Sequence, residues 1–113
     1  MCGIIGILGL DNDAIDIILD GLKQLQNRGY DSSGICTLTE SFTIEKYASI
    51  KTKTAINLLE RNKQNLKVSN LGIGHTRWAT HGAKTNDNAH PHLSYNNKIS
   101  LVHNGIIENY KIL

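Results

Sequence analysis

The chain opens with an apolar run, Cys2–Leu10, rich in isoleucine and punctuated by glycine, which has the length and composition of a buried strand. Asp11-Asn12-Asp13 follows with turn and helix-capping chemistry. Ile15, Ile18, Leu19, Leu22 and Leu25 then recur at helical spacing, which predicts an amphipathic helix over Asp13–Asn27. Gly29 stands where a left-handed residue commonly closes a helix. Two strands, Gly34–Thr39 and Phe42–Ile50, are predicted on either side of a tight turn at Glu40-Ser41. Thr54–Gln64 is a second helix with a weaker apolar face of Ile56, Leu58 and Leu59. Leu71–Thr76 and Lys98–His103 read as further strands, and Asn104–Asn109 has the pattern of a helix beginning. Between those last two strands lies Arg77–Asn97, long, polar and without periodicity. Loops of that length inside a compact domain usually serve function.

This order predicts an α+β domain over residues 1–113, with helices packed on sheets and no internal repeat or linker. The sheet reached by Leu113 is expected to keep unpaired edges and a partly uncovered face, so the domain reads as incomplete. The composition, 40% hydrophobic and 19% charged, is that of a globular protein and excludes both disorder and a membrane span. The net charge of +2 is spread over dispersed lysines and arginines, and one Phe and one Trp leave little for base stacking, so no nucleic-acid partner is expected. The opening apolar run is too short for a span and lacks the flanks of a signal peptide. A reducing, cytoplasmic setting follows as the default, and Cys2 and Cys36 fit it as free thiols.

Candidate chemistry begins at Cys2. Removal of Met1 would leave a thiol and a free α-amine on one residue, and an α-amine titrating at roughly 7.7–8.0 can serve as general base for its own nucleophile. The alternative is a small buried residue opening a strand. Asn104-Gly105 offers a side-chain amide and a backbone N–H as two donors for an oxyanion, or else a tight-turn dipeptide. Arg77 can grip a carboxylate with its planar fork, or lie on the surface. Trp78 is either a movable cover or core. His75, His81, His90, His92 and His103 match no zinc spacing, so neither metal nor cofactor is expected, and Cys36 reads as core. Arg28–Gly34 joins a helix end to a polar turn, with the alternative that Arg28 sits beside the amino-terminal residue and orients it.

Five stretches, Cys2–Gly6, Arg28–Gly34, Gly74–Gly82, Asn88–His92 and His103–Asn109, appear together and in order. The set resembles the amino-terminal glutaminase domains of class II glutamine amidotransferases, within the N-terminal-nucleophile hydrolase superfamily. Gly74–Gly82, Asn88–His92 and Asn104–Asn109 are similar to the hexosamine branch. Tyr30, Trp78 and Ile106 speak against a purine- or asparagine-branch alternative. The resemblance implies part of a four-layer α/β/β/α sandwich of antiparallel sheets, unfinished at its C-terminal end. It implies L-glutamine as substrate, Cys2 as nucleophile and Asn104 with Gly105 at the oxyanion. Arg77 would meet the substrate carboxylate, Thr80, His81 and His90 would complete the pocket, and Trp78 would belong to a closing loop. Fructose 6-phosphate would be met only through sugar-phosphate isomerase domains not found in these residues. The acidic group expected to hold the glutamine α-ammonium is missing as well, so weak or no turnover is expected of the chain alone. A homodimer, a companion chain and an inactive interaction fragment stay open.

Overall fold

A computed structural model describes every residue from Met1 to Leu113. The elements run β1 (Gly3–Leu8), α1 (Ala14–Leu25), β2 (Ser32–Leu38), β3 (Phe42–Ala48), α2 (Ala55–Asn62), β4 (Leu71–Arg77), β5 (His92–Leu93) and β6 (Ser100–Leu101). Short 3-10 turns, Gln26–Arg28 and Lys63–Asn65, prolong the two helices. Four strands form an antiparallel sheet in the order β1-β4-β2-β3, while β5 and β6 form a separate two-stranded ribbon. The result is α+β, with one helical layer on one antiparallel sheet. No helix is long and apolar enough to cross a membrane.

The apolar stripe of α1 does what its spacing predicts. Ile18, Leu19 and Leu22 are buried against the sheet with Ile35 of β2, and Ile56 and Leu59 of α2 join them. Thr54 caps α2, its Oγ1 accepting from Asn57 N–H at 3.2 Å. Asp13 takes the corresponding place before α1 but makes no capping bond through its side chain. There the Ala14 N–H instead donates to Ser69 O at 3.0 Å, so tertiary structure satisfies the helix end.

Several expectations change. β1 is not buried: Ile5 and Ile7 lean toward the core, whereas Ile4 and Leu8 are 46% and 77% exposed. It is an edge strand, and helices cover only one face of the sheet, so an unbroken apolar run acquires alternating burial. Gly29 has φ 170°, an extended conformation rather than the left-handed one. Its glycine is required by proximity, since a Cβ there would lie 2.4 Å from the Arg77 carbonyl carbon and 2.6 Å from Trp78 N. Within Arg77–Asn97 the ribbon strand β5 appears. Its turn is closed by Ser94, whose N–H donates to Ile99 O at 2.8 Å and whose Oγ accepts from Ile99 N–H at 3.0 Å. The strand expected over Lys98–His103 shortens to Ser100–Leu101, and Asn104–Asn109 forms no helix.

Register decides what faces the ribbon. Ile4, His75, Gly34 and Lys46 stand in one row across the sheet, on the face away from the helices. The Asn88–His92 segment crosses that row, and a Cβ on Gly34 would meet His90 O at 2.1 Å. Cys36, on the same face, is buried as expected, and burial pushes its thiol up.

Candidate active site

Antiparallel pairing of Gly3 with Thr76 brings the residue before β1 beside the residue after β4. Cys2 therefore lies against Trp78. The Trp78 N–H donates to Cys2 Sγ at 3.4 Å, and Sγ is 3.8 Å from Trp78 O. Gly3 N–H donates to Thr76 Oγ1 at 3.2 Å and pins the strand start. Met1 is 78% exposed, so its removal disturbs little packing. In front of Cys2 opens a cavity of about 450 Å³ bordered by Arg77, Trp78, Thr80, His81, His90 and Gly105. Residues more than 100 positions apart thus meet at one hollow.

Arg77 is buried at 9% exposure and is already at work on the backbone. Nη1 donates to Ala83 O at 2.9 Å and Nη2 donates to His81 O, so the guanidinium shapes the loop that follows β4. A guanidinium carries five N–H donors, and these two bonds leave others for the cavity. Trp78 is neither core nor loose, since its ring meets Tyr30 edge-on at 5.8 Å while staying 45% exposed. Thr80 and His81 are exposed at the rim, with His81 edge-on to Tyr110 at 5.4 Å. Arg28 is not brought here. It is exposed at the end of its 3-10 turn and does not border the cavity. The groups that meet Cys2 are Trp78 and Asn104.

Asn104 spans two partners. Its Nδ2 donates to Cys2 O at 3.2 Å, and its Oδ1 lies 2.7 Å from His75 Nε2. Gly105 follows with φ 140°, a conformation that suits glycine, and turns its backbone at the cavity wall. Asn104-Gly105 is not the turn of a hairpin, because the ribbon closes at residues 94–99 instead.

Three further supports surround these groups. Asp31 accepts from Ala79 N–H at 2.7 Å and pairs with Lys84 at 2.9 Å, which ties the loop after β4 to the start of β2. Partial burial opposes its ionisation, but the Ala79 N–H and Lys84 outweigh that and hold the carboxyl below its usual range. The polar turn Arg28–Gly34 was the available signal. Lys46 donates to Ala89 O at 2.9 Å and Asp87 O at 3.2 Å, clamping the loop onto β3 with no sequence signal at all. The third support is a column of imidazoles. His75 stacks on His90 at 4.4 Å, and His90 meets His92 edge-on at 4.5 Å. Burial, then neighbouring His75, His92 and Arg77, push His90 down to about 3. Burial lowers His75 and His92 as well. No three or more His, Cys, Asp or Glu side chains converge on a metal position.

No protein-family model matches the chain. Individual relatives do. It is 49% identical over 114 residues, 100% of its length, to glutamine–fructose-6-phosphate aminotransferase (isomerizing) of Synechocystis sp.. It is 50% identical over 111 residues to the enzyme of that name from Fusobacterium nucleatum, and 48% over 112 residues to a probable one from Acanthamoeba polyphaga mimivirus. The chain spans 17–18% of the length of these relatives. With Cys2, the Arg77 loop, His103 and Gly105 gathered at one cavity, the chain belongs to the glutamine–fructose-6-phosphate aminotransferase family.

Proposed function

We propose that this chain carries a glutaminase centre that hydrolyses L-glutamine to L-glutamate and ammonia. The supporting observation is the convergence of the Cys2 thiol, Arg77 and Gly105 on one cavity, with the Asn104 amide bonded to Cys2 itself. Once Met1 is removed, the Cys2 α-amine takes the thiol proton and Sγ attacks the side-chain carbonyl carbon of glutamine. The electron pair of that C=O moves to oxygen. The Gly105 N–H and Asn104 Nδ2 receive the negative charge, since one Nδ2 proton is engaged with Cys2 O and the second is free. Loss of one such donor costs about 2.7–4 kcal/mol of barrier. The α-ammonium returns its proton to the leaving nitrogen, the C–N bond breaks, and ammonia departs from a thioester. Water then attacks the thioester, releasing glutamate and restoring the thiol.

Arg77 meets the substrate carboxylate, Thr80, His81 and His90 wall the pocket, and Trp78 covers it. The cavity border holds histidines and an arginine but no carboxylate, which favours the anionic end of glutamine and leaves its α-ammonium unpaired. Slow turnover is therefore expected. Amination of fructose 6-phosphate, the acceptor half named for the relatives, would rest on the remainder of such a protein, which could act as a homodimer or with a companion chain. The two free thiols suit a cytoplasmic, reducing setting.

The test is glutamine-dependent release of ammonia and glutamate by chain from which Met1 has been removed. Equal amounts of the two products are expected, with loss of both in Cys2→Ala. Release that is unchanged in Cys2→Ala would refute the assignment.

A further inference from the structure

One fully buried side chain beneath this site has no part in the steps above. His75 lies near the end of β4, is 0% exposed, and directs Nε2 at Asn104 Oδ1 from 2.7 Å. An amide oxygen only accepts, so this contact requires a proton on His75 Nε2. Its Nδ1 is buried with no hydrogen-bond partner, which fits the unprotonated nitrogen of a neutral ring. With Oδ1 held on the sheet side, Nδ2 of Asn104 is left facing Cys2, 3.2 Å from its carbonyl. The reverse amide orientation would need Nε2 as acceptor and hence the proton on the buried, partnerless Nδ1, and it would turn a lone pair toward the developing oxyanion. Neighbouring groups hold both partners in place. His90 stacks on the His75 ring at 4.4 Å and 23°, and His90 Nδ1 accepts from the His103 N–H at 3.3 Å, just before Asn104.

We propose that His75 is a positioning residue, whose Nε2–H fixes the Asn104 amide so that its NH2 group faces Cys2 and the oxyanion. Its catalytic consequence rests on the glutaminase reading; the amide orientation does not. His75 borders the cavity floor, and its role is exerted through its hydrogen bond to Asn104.

The experiment uses the full chain after Met1 removal and has two arms. Nitrogen-15 NMR of the ligand-free protein reads the His75 tautomer and the Asn104 side-chain NH2 signals. The expected result is a neutral ring protonated at Nε2, with the Asn104 signals displaced in His75→Leu and returned in His75→Gln, which keeps an N–H donor at that reach. A proton on Nδ1, or Asn104 signals unmoved in His75→Leu, would overturn the proposal without any ligand.

The second arm measures binding of 5-oxopentanoate, an aldehyde whose carbonyl carbon bonds Cys2 Sγ while its oxygen takes the oxyanion place, against glutarate, which forms no such adduct. His75→Leu is expected to weaken the aldehyde at least ~10-fold, below the 10²–10³ range of outright donor removal. Glutarate should bind as before, and His75→Gln should recover most of the loss. In an Asn104→Ala background His75→Leu should cost nothing more; a full additional loss would overturn the proposal. Wild-type chain that binds the aldehyde no better than Cys2→Ala would remove the glutaminase reading, while the NMR arm still decides the role of His75.

Discussion

At the scale of single residues, Arg77 carries two demands that its chemistry can meet together. Its guanidinium holds the carbonyls of His81 and Ala83, and the same group faces the cavity where a carboxylate would enter. A lysine there keeps the charge but loses the planar fork that reaches two carbonyls at once. Hydrogen bonds to charged groups contribute about 1.5–3 kcal/mol each, so Arg77→Lys should disturb more than ligand affinity. Two effects are expected: glutarate binding weaker by ~10-fold or more, and faster proteolytic cleavage within residues 81–87. Loss of affinity with cleavage unchanged would show that the loop owes its shape to Asp31 and Lys84 rather than to Arg77. A sequence contains no trace of this double use, because a carbonyl acceptor has no residue signature.

At the scale of elements, the loop and ribbon are held to the sheet by contact at Gly34. An alanine there would place its Cβ 2.1 Å from His90 O and 2.7 Å from Lys46 Cβ, and His90 O belongs to backbone that cannot swing aside. Overpacking of this kind costs roughly 1–3 kcal/mol, and a domain near this size loses several degrees of Tm for each. Gly34→Ala should lower Tm accordingly and separate His90 from His75, read as a loss of their mutual ring-current shifts. An unchanged Tm would mean that the ribbon segment contributes nothing to folding. The helices and main strands were legible because periodicity follows from burial, as Ile18, Leu22, Ile56 and Leu59 illustrate. The edge character of β1 was not legible, since Ile4 and Leu8 look as apolar in sequence as Ile5 and Ile7. The two-residue strands of the ribbon are too short to carry a period. At the site, residue type singled out Cys2, Arg77 and Asn104-Gly105, and the structure brings Cys2, Arg77 and Gly105 to one cavity with Asn104 hydrogen-bonded to Cys2. Arg28 does not border the cavity, and the reach of Lys46 to the Ala89 carbonyl and of His75 to the Asn104 side chain left no mark in the sequence, because a tertiary partner has no residue signature.

Across the whole molecule, the imidazole column makes stability depend on pH in a definite direction. His75, His90 and His92 all have lowered values in the fold, with burial as the leading cause for each. Unfolded, these rings return to the ordinary value near 6.5. Below that pH the unfolded chain binds protons that the native chain refuses, so stability rises with pH in this region. The contribution is complete above about 6.5 and is lost as pH falls toward 3, the value reached by His90. Asp31 acts with the same sign but later, since its lowered carboxyl matters only as pH drops through the acidic range below about 4. Between pH 6.5 and 4.5 the histidines therefore dominate, with Glu60, held down by Lys23, adding the same sign only toward the lower end. Denaturant midpoints measured across it should fall steadily, with unfolding taking up at least about one proton. His90→Gln, which removes the most strongly shifted ring, should flatten that slope even where it lowers the midpoint itself. A midpoint constant from pH 6.5 to 4.5 in the wild-type chain would mean that the column opens to water and charges freely, and that the stacked, neutral floor beneath Cys2 and Asn104 does not persist in solution.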